Sequence, residues 1–236
     1  LTHLPAERVW IEFERALGER NPEVFVEVLR QCGALAELIP ELEALFGVPQ
    51  TAAHHPEIDS GVHTLMALQQ AVKLSPDADV RFAVLIHDLG KGTTPPGEWP
   101  RHIAHEHRGL KLVDAVCGRL KAPNQYRELA RKACQYHTHC HRALELRGKT
   151  ILKLLNATDA LRRPDRFEAF LLCCEADARG RRGFEAREYP QADYLRRAFR
   201  AAEQISAAAI VAEGKQGLAV RDELKARRIR AVRDLR

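Results

Sequence analysis

The chain has 236 residues, of which 45% are hydrophobic and 29% charged, and its formal net charge is +5. This is enough for one large domain or two with a proper core, and no apolar stretch is long enough to span a bilayer. Six cysteines that lie in apolar or helical segments without a CxxC pair do not suggest a disulfide framework or a zinc finger, and they favour a reducing compartment. We therefore expect small core cysteines in a cytoplasmic protein without membrane association.

Taken in order, the sequence predicts helices from end to end. The first helix begins after Pro5 and places on one side Trp10, Phe13 and Leu17. A second helix repeats this spacing before a Gly33 stop, with a predicted inner face of Val24, Val28, Leu29 and Cys32. With a further segment broken by Pro40, these form a first helical layer, which a turn-rich stretch joins to a helix that carries His63.

The next helix is apolar nearly all round and ends on a histidine and an aspartate. Residues 82–86 read Phe-Ala-Val-Leu-Ile, which predicts a central core helix, and Gly90 is the expected stop. His87 and Asp88 therefore lie at the buried end of a buried helix. An ionised carboxylate is costly there unless a cation or a metal compensates it, and the adjacent imidazole is a natural co-ligand.

Two more candidate ligands lie on other helices. His63 precedes His87 by 24 positions, and Asp177 continues an apolar stripe three residues after Cys174. A carboxylate on such a face rarely lacks a partner. Together with Asp88 these residues form a set of two imidazoles and two carboxylates, which suits Mn, Fe, Co, Ni, Zn or Mg. The alternative for each residue taken singly is a core histidine or a salt-bridged acid.

Further histidines follow in two short segments. The loop 91–102 is dense in proline and glycine and is a candidate lid beside the site. His102 and His105 share a face of the helix that follows, and His137 and His141 meet at a spacing of four on the next helix. We predict that His105 and His137 support the primary ligands, contact substrate phosphate or bind a second metal ion. The alternative is a packing or surface role.

Basic side chains near these residues are candidate phosphate ligands. Lys91 follows the His-Asp pair closely, and just past Asp177 come Arg179, Arg181 and Arg182. A guanidinium group binds phosphate oxygens in pairs, whereas an ammonium group acts as a point charge.

The net charge is concentrated near the C-terminus. Residues 221–236 hold seven basic and three acidic side chains, which is nearly the whole excess. A basic terminal helix suits a nucleic-acid backbone, and the candidate RNA contacts are Arg227, Arg228 and Arg230. The alternative is a solvated helix face with ion pairs between successive turns.

The order His63, His87-Asp88 and a distant Asp177 resembles the defining pattern of the HD family of metal-dependent phosphohydrolases. Six segments are also similar to the C-terminal portion of bacterial CCA-adding enzymes (tRNA nucleotidyltransferases) that carry an HD domain: LTHLPAERVW, ALFGVP, HHPEIDSGVHTLM, DVRFAVLIHDLGKG, RPDRFEAFLLCCEADARGR and YPQADYLRRAF. The resemblance implies an all-α fold, in which an HD-domain helical bundle is flanked by N-terminal neck helices and a C-terminal helical tail. The expected divisions are a neck and body segment at 1–58, the HD domain at 59–161 and the tail at 162–236.

The same resemblance implies what this chain does. The family's catalytic head adds C, C and A to tRNA 3′ ends, but the Gly-rich phosphate turn and the strand with paired aspartates that a head needs are missing, so we expect no nucleotide addition. Because the chain opens on Leu1, we expect it to be part of a longer protein. The implied activities are those of a 2′,3′-cyclic phosphodiesterase, 2′-nucleotidase and phosphatase that acts near the tRNA 3′ end, as a monomer or homodimer. Nickel or magnesium is the implied metal, with manganese or cobalt as alternatives.

The expected mechanism follows from the four ligands. A divalent ion held by His63, His87, Asp88 and Asp177 lowers the pKa of water and neutralises charge as water attacks phosphorus. Two other functions stay open. One is an HD hydrolase of free nucleotides, which would cleave dGTP and spare 2′,3′-cyclic AMP. The other is a non-catalytic tRNA-binding module, in which Asp88→Ala would leave metal content and hydrolysis unchanged.

Overall fold

The computed structural model describes residues 4–235, and this part of the chain contains helices and no strand. The all-α prediction is confirmed. Two short 3-10 helices lie at Leu89–Thr93 and Pro96–Glu98. The α-helices of the described residues are, in chain order, α1 Ala6–Gly18, α2 Pro22–Gln31, α3 Ala34–Leu38, α4 Pro40–Glu43, α5 Ser60–Leu74, α6 Ala78–Ile86, α7 His105–Leu120, α8 Asn124–His141, α9 Gly148–Ala157, α10 Pro164–Arg179, α11 Pro190–Glu203, α12 Ala207–Ala212 and α13 Leu218–Arg233.

The chain divides into two compact units. The first comprises Leu1–His137 and Leu172–Glu188, and the second comprises Thr138–Leu171 and Tyr189–Arg236. Helices α8 and α10 therefore contribute residues to both units. The expected division into neck, HD domain and tail stays a prediction.

Helix α6 lies at the centre of the first unit. Its residues from Val80 to Ile86 are all buried, as their apolar character predicts. The predicted face of α1 packs beside it, and the rings of Trp10 and Phe82 meet edge to face with centroids 5.2 Å apart. Tyr126 of α8 adds a further edge contact at 4.8 Å from Trp10. The helix that ends on His87 is therefore anchored on several sides.

The predicted inner face of α2 is wrong. Val24 and Val28 are about half exposed and Cys32 is exposed, whereas Val26 is fully buried. The apolar side of this helix is wider than the face that is buried, so spacing alone does not select the buried edge, and packing against α1, α3 and α5 decides it. The other five cysteines are buried and unpaired with one another, as expected.

A buried arginine holds the end of α1 against the central helices. Arg81 donates through Nη1 to the carbonyl oxygens of Leu17 at 2.7 Å and Glu19 at 3.1 Å, and through Nε to the Ser75 carbonyl oxygen at 3.2 Å. Carbonyl groups near helix ends lack intrahelical donors, so this guanidinium satisfies groups that would otherwise be unpaired.

Gly90 has a different role from the predicted helix stop. Helix α6 ends at Ile86, and Gly90 lies against the start of α7, where a Cβ atom would be 1.9 Å from the carbonyl oxygen of His105. Glycine alone permits this approach of two backbones. It brings the turn that carries Asp88 next to the helix that carries His105.

The second unit packs α13 against α9, α11 and α12. Within it, Arg196 makes a two-point ion pair with Glu168, at 2.5 Å through Nη2 and 3.0 Å through Nε. Among the helices of residues 4–235, none combines the length and apolarity needed to cross a membrane.

Candidate metal centre

Three parts of the first unit supply the four predicted ligands. His63 lies near the start of α5, where the Asp59 carboxylate caps the helix by accepting from the Val62 N–H. His87 follows the last residue of α6, with Asp88 next to it, and Asp177 lies in the last turn of α10. The four ligand side chains are at most 5% exposed.

These four side chains converge. His63 Nε2 lies 3.0 Å from Asp177 Oδ1, although 114 positions separate the two residues. His87 Nε2 lies 3.2 Å from Asp88 Oδ2 and 3.6 Å from Asp177 Oδ2. One ligand atom each from His63, His87 and Asp177 fall within 4.8 Å of one another, as do those of His87, Asp88 and His137. The structure thus brings together the residues that the sequence selected, and their role as metal ligands stays a prediction.

Backbone carbonyls orient both imidazoles. His63 Nδ1 lies 3.1 Å from the Gly180 carbonyl oxygen, and His87 Nδ1 lies 2.7 Å from the Val84 carbonyl oxygen. Because a carbonyl oxygen only accepts, each Nδ1 carries a proton. The Nε2 atoms are therefore the ones that face the carboxylates and can bind either a proton or a metal ion.

The two carboxylates of the cluster determine the protonation of His87. Burial favours neutral His87, but the carboxylates of Asp88 and Asp177 outweigh it and raise the pKa of His87 to about 9. Burial likewise opposes ionisation of Asp88, yet His87 and Lys91 hold its pKa well below the usual value. An imidazolium between two carboxylates occupies a position that suits a divalent cation.

Two buried polar atoms of the cluster are suited to bind a metal ion. Within residues 4–235, His87 Nε2 and Asp88 Oδ1 find no hydrogen-bond partner of acceptable geometry, although both are shielded from solvent. Such groups are costly to bury, and a cation bound between them would satisfy both. Two imidazoles with two carboxylates suit several divalent metals, and the choice of nickel or magnesium stays a prediction.

His105 and His137 lie on the other side of Asp88. Their Nε2 atoms are 3.2 Å and 3.5 Å from Asp88 Oδ1 and 3.3 Å from each other. Their Nδ1 atoms lie 2.8 Å and 3.0 Å from the carbonyl oxygens of His102 and Ala133. Both side chains thus point Nε2 towards the cluster, as the prediction of supporting or second-metal ligands requires.

The other histidines of the two segments have different positions. His102 precedes α7 and does not share a helical face with His105, because Ala104 has a left-handed backbone and the helix begins at His105. It holds the loop instead, since its ring nitrogens lie 2.9 Å from Thr94 Oγ1 and 3.0 Å from the Pro49 carbonyl oxygen. His141 Nδ1 lies 2.8 Å from the hydroxyl oxygen of Tyr189 in the second unit.

The candidate phosphate ligands differ in what they contact. Lys91 is buried, and its Nζ lies 2.5 Å from both Asp88 Oδ2 and Gln50 Oε1. Arg181 Nη2 lies 3.8 Å from Asp177 Oδ1, and its buried Nε finds no hydrogen-bond partner among the described residues. Arg179 pairs with Glu175 at 2.9 Å and with the Arg187 carbonyl oxygen at 3.0 Å, and the side chain of Arg182 is exposed.

The candidate RNA contacts on α13 are partly engaged within the second unit. Arg227 binds Glu213 through both terminal nitrogens and Glu223 through Nε at 2.8 Å. Arg228 donates to the carbonyl oxygens of Ala202 and Ile205 at 3.1 Å and 3.3 Å. Arg230 is exposed. The role of all three in RNA binding stays a prediction.

Glu57 also contacts the cluster, although no pattern in the sequence singled it out. Its carboxylate is fully buried and lies 3.1 Å from His63 Nδ1. Glu57 is in a turn before α5, where no periodicity marks a buried position. A glutamate flanked by a histidine and an aspartate in HHPEID was the only available signal.

Two family models match this chain. Residues 1–46 match the model described as a probable RNA and SrmB-binding site of polymerase A, and residues 61–164 match the HD domain. Residues 61–164 are thus similar to an HD domain. The matched HD region contains the predicted ligands apart from Asp177, which α10 brings to it from further along the chain.

Curated relatives extend the similarity beyond the HD domain. The chain is 54% identical over 234 residues to the Multifunctional CCA protein of Teredinibacter turnerae, and over 233 residues it is 58% and 59% identical to those of Hahella chejuensis and Thioalkalivibrio sulfidiphilus. The alignments cover 99% of this chain but 57%, 55% and 57% of the relatives. The chain therefore spans a little over half the length of these relatives, and the predicted resemblance to their C-terminal part is confirmed.

Proposed function

We propose that this HD-domain chain is a divalent-metal-dependent phosphohydrolase with 2′,3′-cyclic phosphodiesterase, 2′-nucleotidase and phosphatase activity, which acts near the 3′ end of tRNA. The observation that carries the proposal is the convergence of His63, His87, Asp88 and Asp177 in a buried cluster. The orphaned His87 Nε2 and Asp88 Oδ1 support a cation at this point. The names of the relatives support tRNA as the macromolecular partner.

The four ligands would hold the ion, which when bound acidifies water and withdraws charge from phosphoryl oxygens. The carbonyl groups of Gly180 and Val84 keep the two ligand imidazoles from rotating. Burial lowers the pKa of His137 to about 3 against the opposing charge of Asp88, so His137 is neutral at pH 7. Its Nε2 can then accept a proton or bind a second ion, but it cannot serve as the acid.

Among the basic residues, Arg181 is the one that we assign to the substrate phosphate. Its guanidinium reaches Asp177 at 3.8 Å, and its Nε has an unused proton. Lys91 is better suited to neutralising Asp88, because its ammonium group already contacts that carboxylate and the Gln50 amide oxygen. The more distant Arg179 and Arg182 would act on the substrate through charge alone.

Charge favours the second unit as the RNA-binding part. It holds 18 basic and 10 acidic residues, a net charge of +8, so the first unit is net negative. The segment 1–46, which matches the RNA-binding model, holds nine acidic and four basic residues. Attraction to phosphates requires an excess of basic residues over acidic ones, and the basic helix α13 supplies this excess. We therefore propose that RNA lies along the second unit, with exposed Arg230 among its contacts.

A metal-by-substrate assay tests the hydrolase. The chain is stripped with EDTA, reloaded with Ni²⁺, Co²⁺, Mn²⁺ or Mg²⁺, and given 2′,3′-cyclic AMP, 2′-AMP, p-nitrophenyl phosphate and dGTP. We expect at least one metal to restore hydrolysis of the first three, and His87→Ala and Asp177→Ala to lower it about 100-fold or more. His105→Ala should also lower it, whereas His107→Ala, an exposed neighbour on α7, should not.

The other outcomes identify the alternatives. Hydrolysis of dGTP in place of the cyclic phosphate would indicate an enzyme of free nucleotides. Retained tRNA binding with no hydrolysis under any metal would indicate a non-catalytic module.

A further inference from the structure

A buried carboxylate lies directly behind the imidazole of His63. The side chain of Glu57 has no exposed surface, and its Oε1 is 3.0 Å from His55 Nδ1 and 3.1 Å from His63 Nδ1. Its other oxygen accepts from the backbone N–H of Arg182 at 3.3 Å. One carboxylate therefore joins the turn before α5 to the turn after α10.

Each oxygen of the buried Glu57 carboxylate has a hydrogen-bond donor. A buried carboxylate is costly unless it is hydrogen-bonded. Two imidazole N–H groups and one backbone N–H meet that requirement.

The contacts of the two His63 ring nitrogens indicate what the Glu57 carboxylate does. His63 Nδ1 is equidistant, at 3.1 Å, from Glu57 Oε1 and the Gly180 carbonyl oxygen, while His63 Nε2 faces Asp177 at 3.0 Å. Two acceptors behind the ring keep the proton on Nδ1 and leave Nε2 for a ligand. A carboxylate in this position also makes the imidazole a stronger electron donor to a metal.

The bond to Arg182 extends the effect to a second ligand. Arg182 lies five residues after Asp177, and Gly180 lies between them. A Cβ atom on Gly180 would be 2.4 Å from the Ala67 Cα, so this turn lies tightly against α5. By holding the turn, Glu57 restrains the carbonyl that orients His63 and the end of the helix that carries Asp177.

We propose that Glu57 is a positioning residue of the metal centre, which fixes the tautomer and orientation of His63 and ties the ligand on α5 to the ligand on α10. The inference deepens the proposed function and rests on it. Glu57 contacts Nδ1 of His63, which carries a proton towards the Gly180 carbonyl oxygen, whereas Asp177 faces Nε2 on the other side of the ring, so we assign Glu57 the role of hydrogen-bond acceptor and not of ligand.

Metal affinity tests this role without reference to hydrolysis. The EDTA-stripped chain and its variants are titrated with Ni²⁺ and Mn²⁺ in a calorimeter. Glu57→Gln keeps the side-chain volume but removes the charge, and we expect it to weaken binding about 10-fold to 100-fold. Glu57→Asp keeps the charge at a shorter reach and should restore part of the affinity. His55→Gln leaves the bond between Glu57 and His63 and serves as the matched control, with an expected change below about threefold.

Comparison of ion binding by the unaltered chain and by its variants distinguishes failure of the metal centre from failure of the role of Glu57. Failure of the unaltered chain to bind any of these ions would remove the metal centre and Glu57's role with it. Binding by the unaltered chain and by Glu57→Gln within about twofold of each other would overturn the role of Glu57 alone. An equal loss in His55→Gln and Glu57→Gln would also overturn it, because it would indicate general loosening of the turn. If Glu57→Gln lacks the helical circular dichroism of the parent, Glu57→Asp decides, and unchanged affinity in that variant counts against positioning.

Discussion

Metal binding at the cluster should release a proton, and His87 is its source. The carboxylates of Asp88 and Asp177 raise the pKa of His87 to about 9 against the effect of burial, so nearly every molecule holds an imidazolium at pH 7. A metal ligand must be neutral, and the proton must leave before Nε2 can bind an ion. Two pH units below the pKa, this costs about 2.7 kcal/mol, which is about 100-fold in affinity.

The direction of the pH dependence of metal affinity follows from the raised pKa of His87. Below pH 9 the proton stabilises the state without metal, and this competition disappears as the pH rises through 9. Affinity for Ni²⁺ should therefore rise about tenfold per unit between pH 7 and 8.5 and level off near pH 9. Calorimetry at pH 7 in buffers of different ionisation enthalpy should count about one proton released for each ion bound.

A variant without the titrating group is the control. His87→Gln should bind the ion more weakly, with a pH slope near zero in the same range and no released proton. Affinity in the unaltered chain that stays flat from pH 7 to 8.5, with no proton released, would refute the assignment of the imidazolium to the metal position.

Three further predictions concern the surroundings of the site and the second unit. Gly180→Ala should weaken Ni²⁺ binding at least tenfold by displacing the turn after α10, whereas Gly118→Ala, on a helix face with open space, should leave it unchanged in the same titration. Arg81→Met should lower the free energy of unfolding by about 3 kcal/mol, since it strands the carbonyl groups of buried Leu17 and Ser75 and the partly buried carbonyl of Glu19. Urea denaturation measures this, and a loss below about 1 kcal/mol would contradict it. Arg230→Ala should weaken tRNA binding and reduce its salt dependence without changing the thermal unfolding midpoint. Arg228→Ala should instead lower the midpoint, because the Arg228 guanidinium binds two backbone carbonyls. Unchanged tRNA affinity in Arg230→Ala would argue against an RNA contact at Arg230.

The sequence was most informative where apolar spacing and an isolated charge coincide. Phe82 to Ile86 form a fully buried helix, and Asp177 meets His63 although the two were selected independently. The predicted face of α2 was wrong, because the apolar side of that helix is wide and spacing did not distinguish buried Val26 from its exposed neighbours Val24 and Val28. The prediction for His102 was wrong as well, because the left-handed backbone of Ala104 starts helix α7 only at His105.

The sequence alone predicted the four candidate ligands, their burial and the helices that carry them, because hydrophobic periodicity and the cost of burying a charge act locally along the chain. The tertiary structure decided which nitrogen of each imidazole faces the cluster, since that depends on the carbonyl groups of Gly180 and Val84. It also decided that Glu57 stands behind His63. Hydrogen bonds between residues distant in sequence leave no periodic trace, and only the folded chain brings their donors and acceptors within reach.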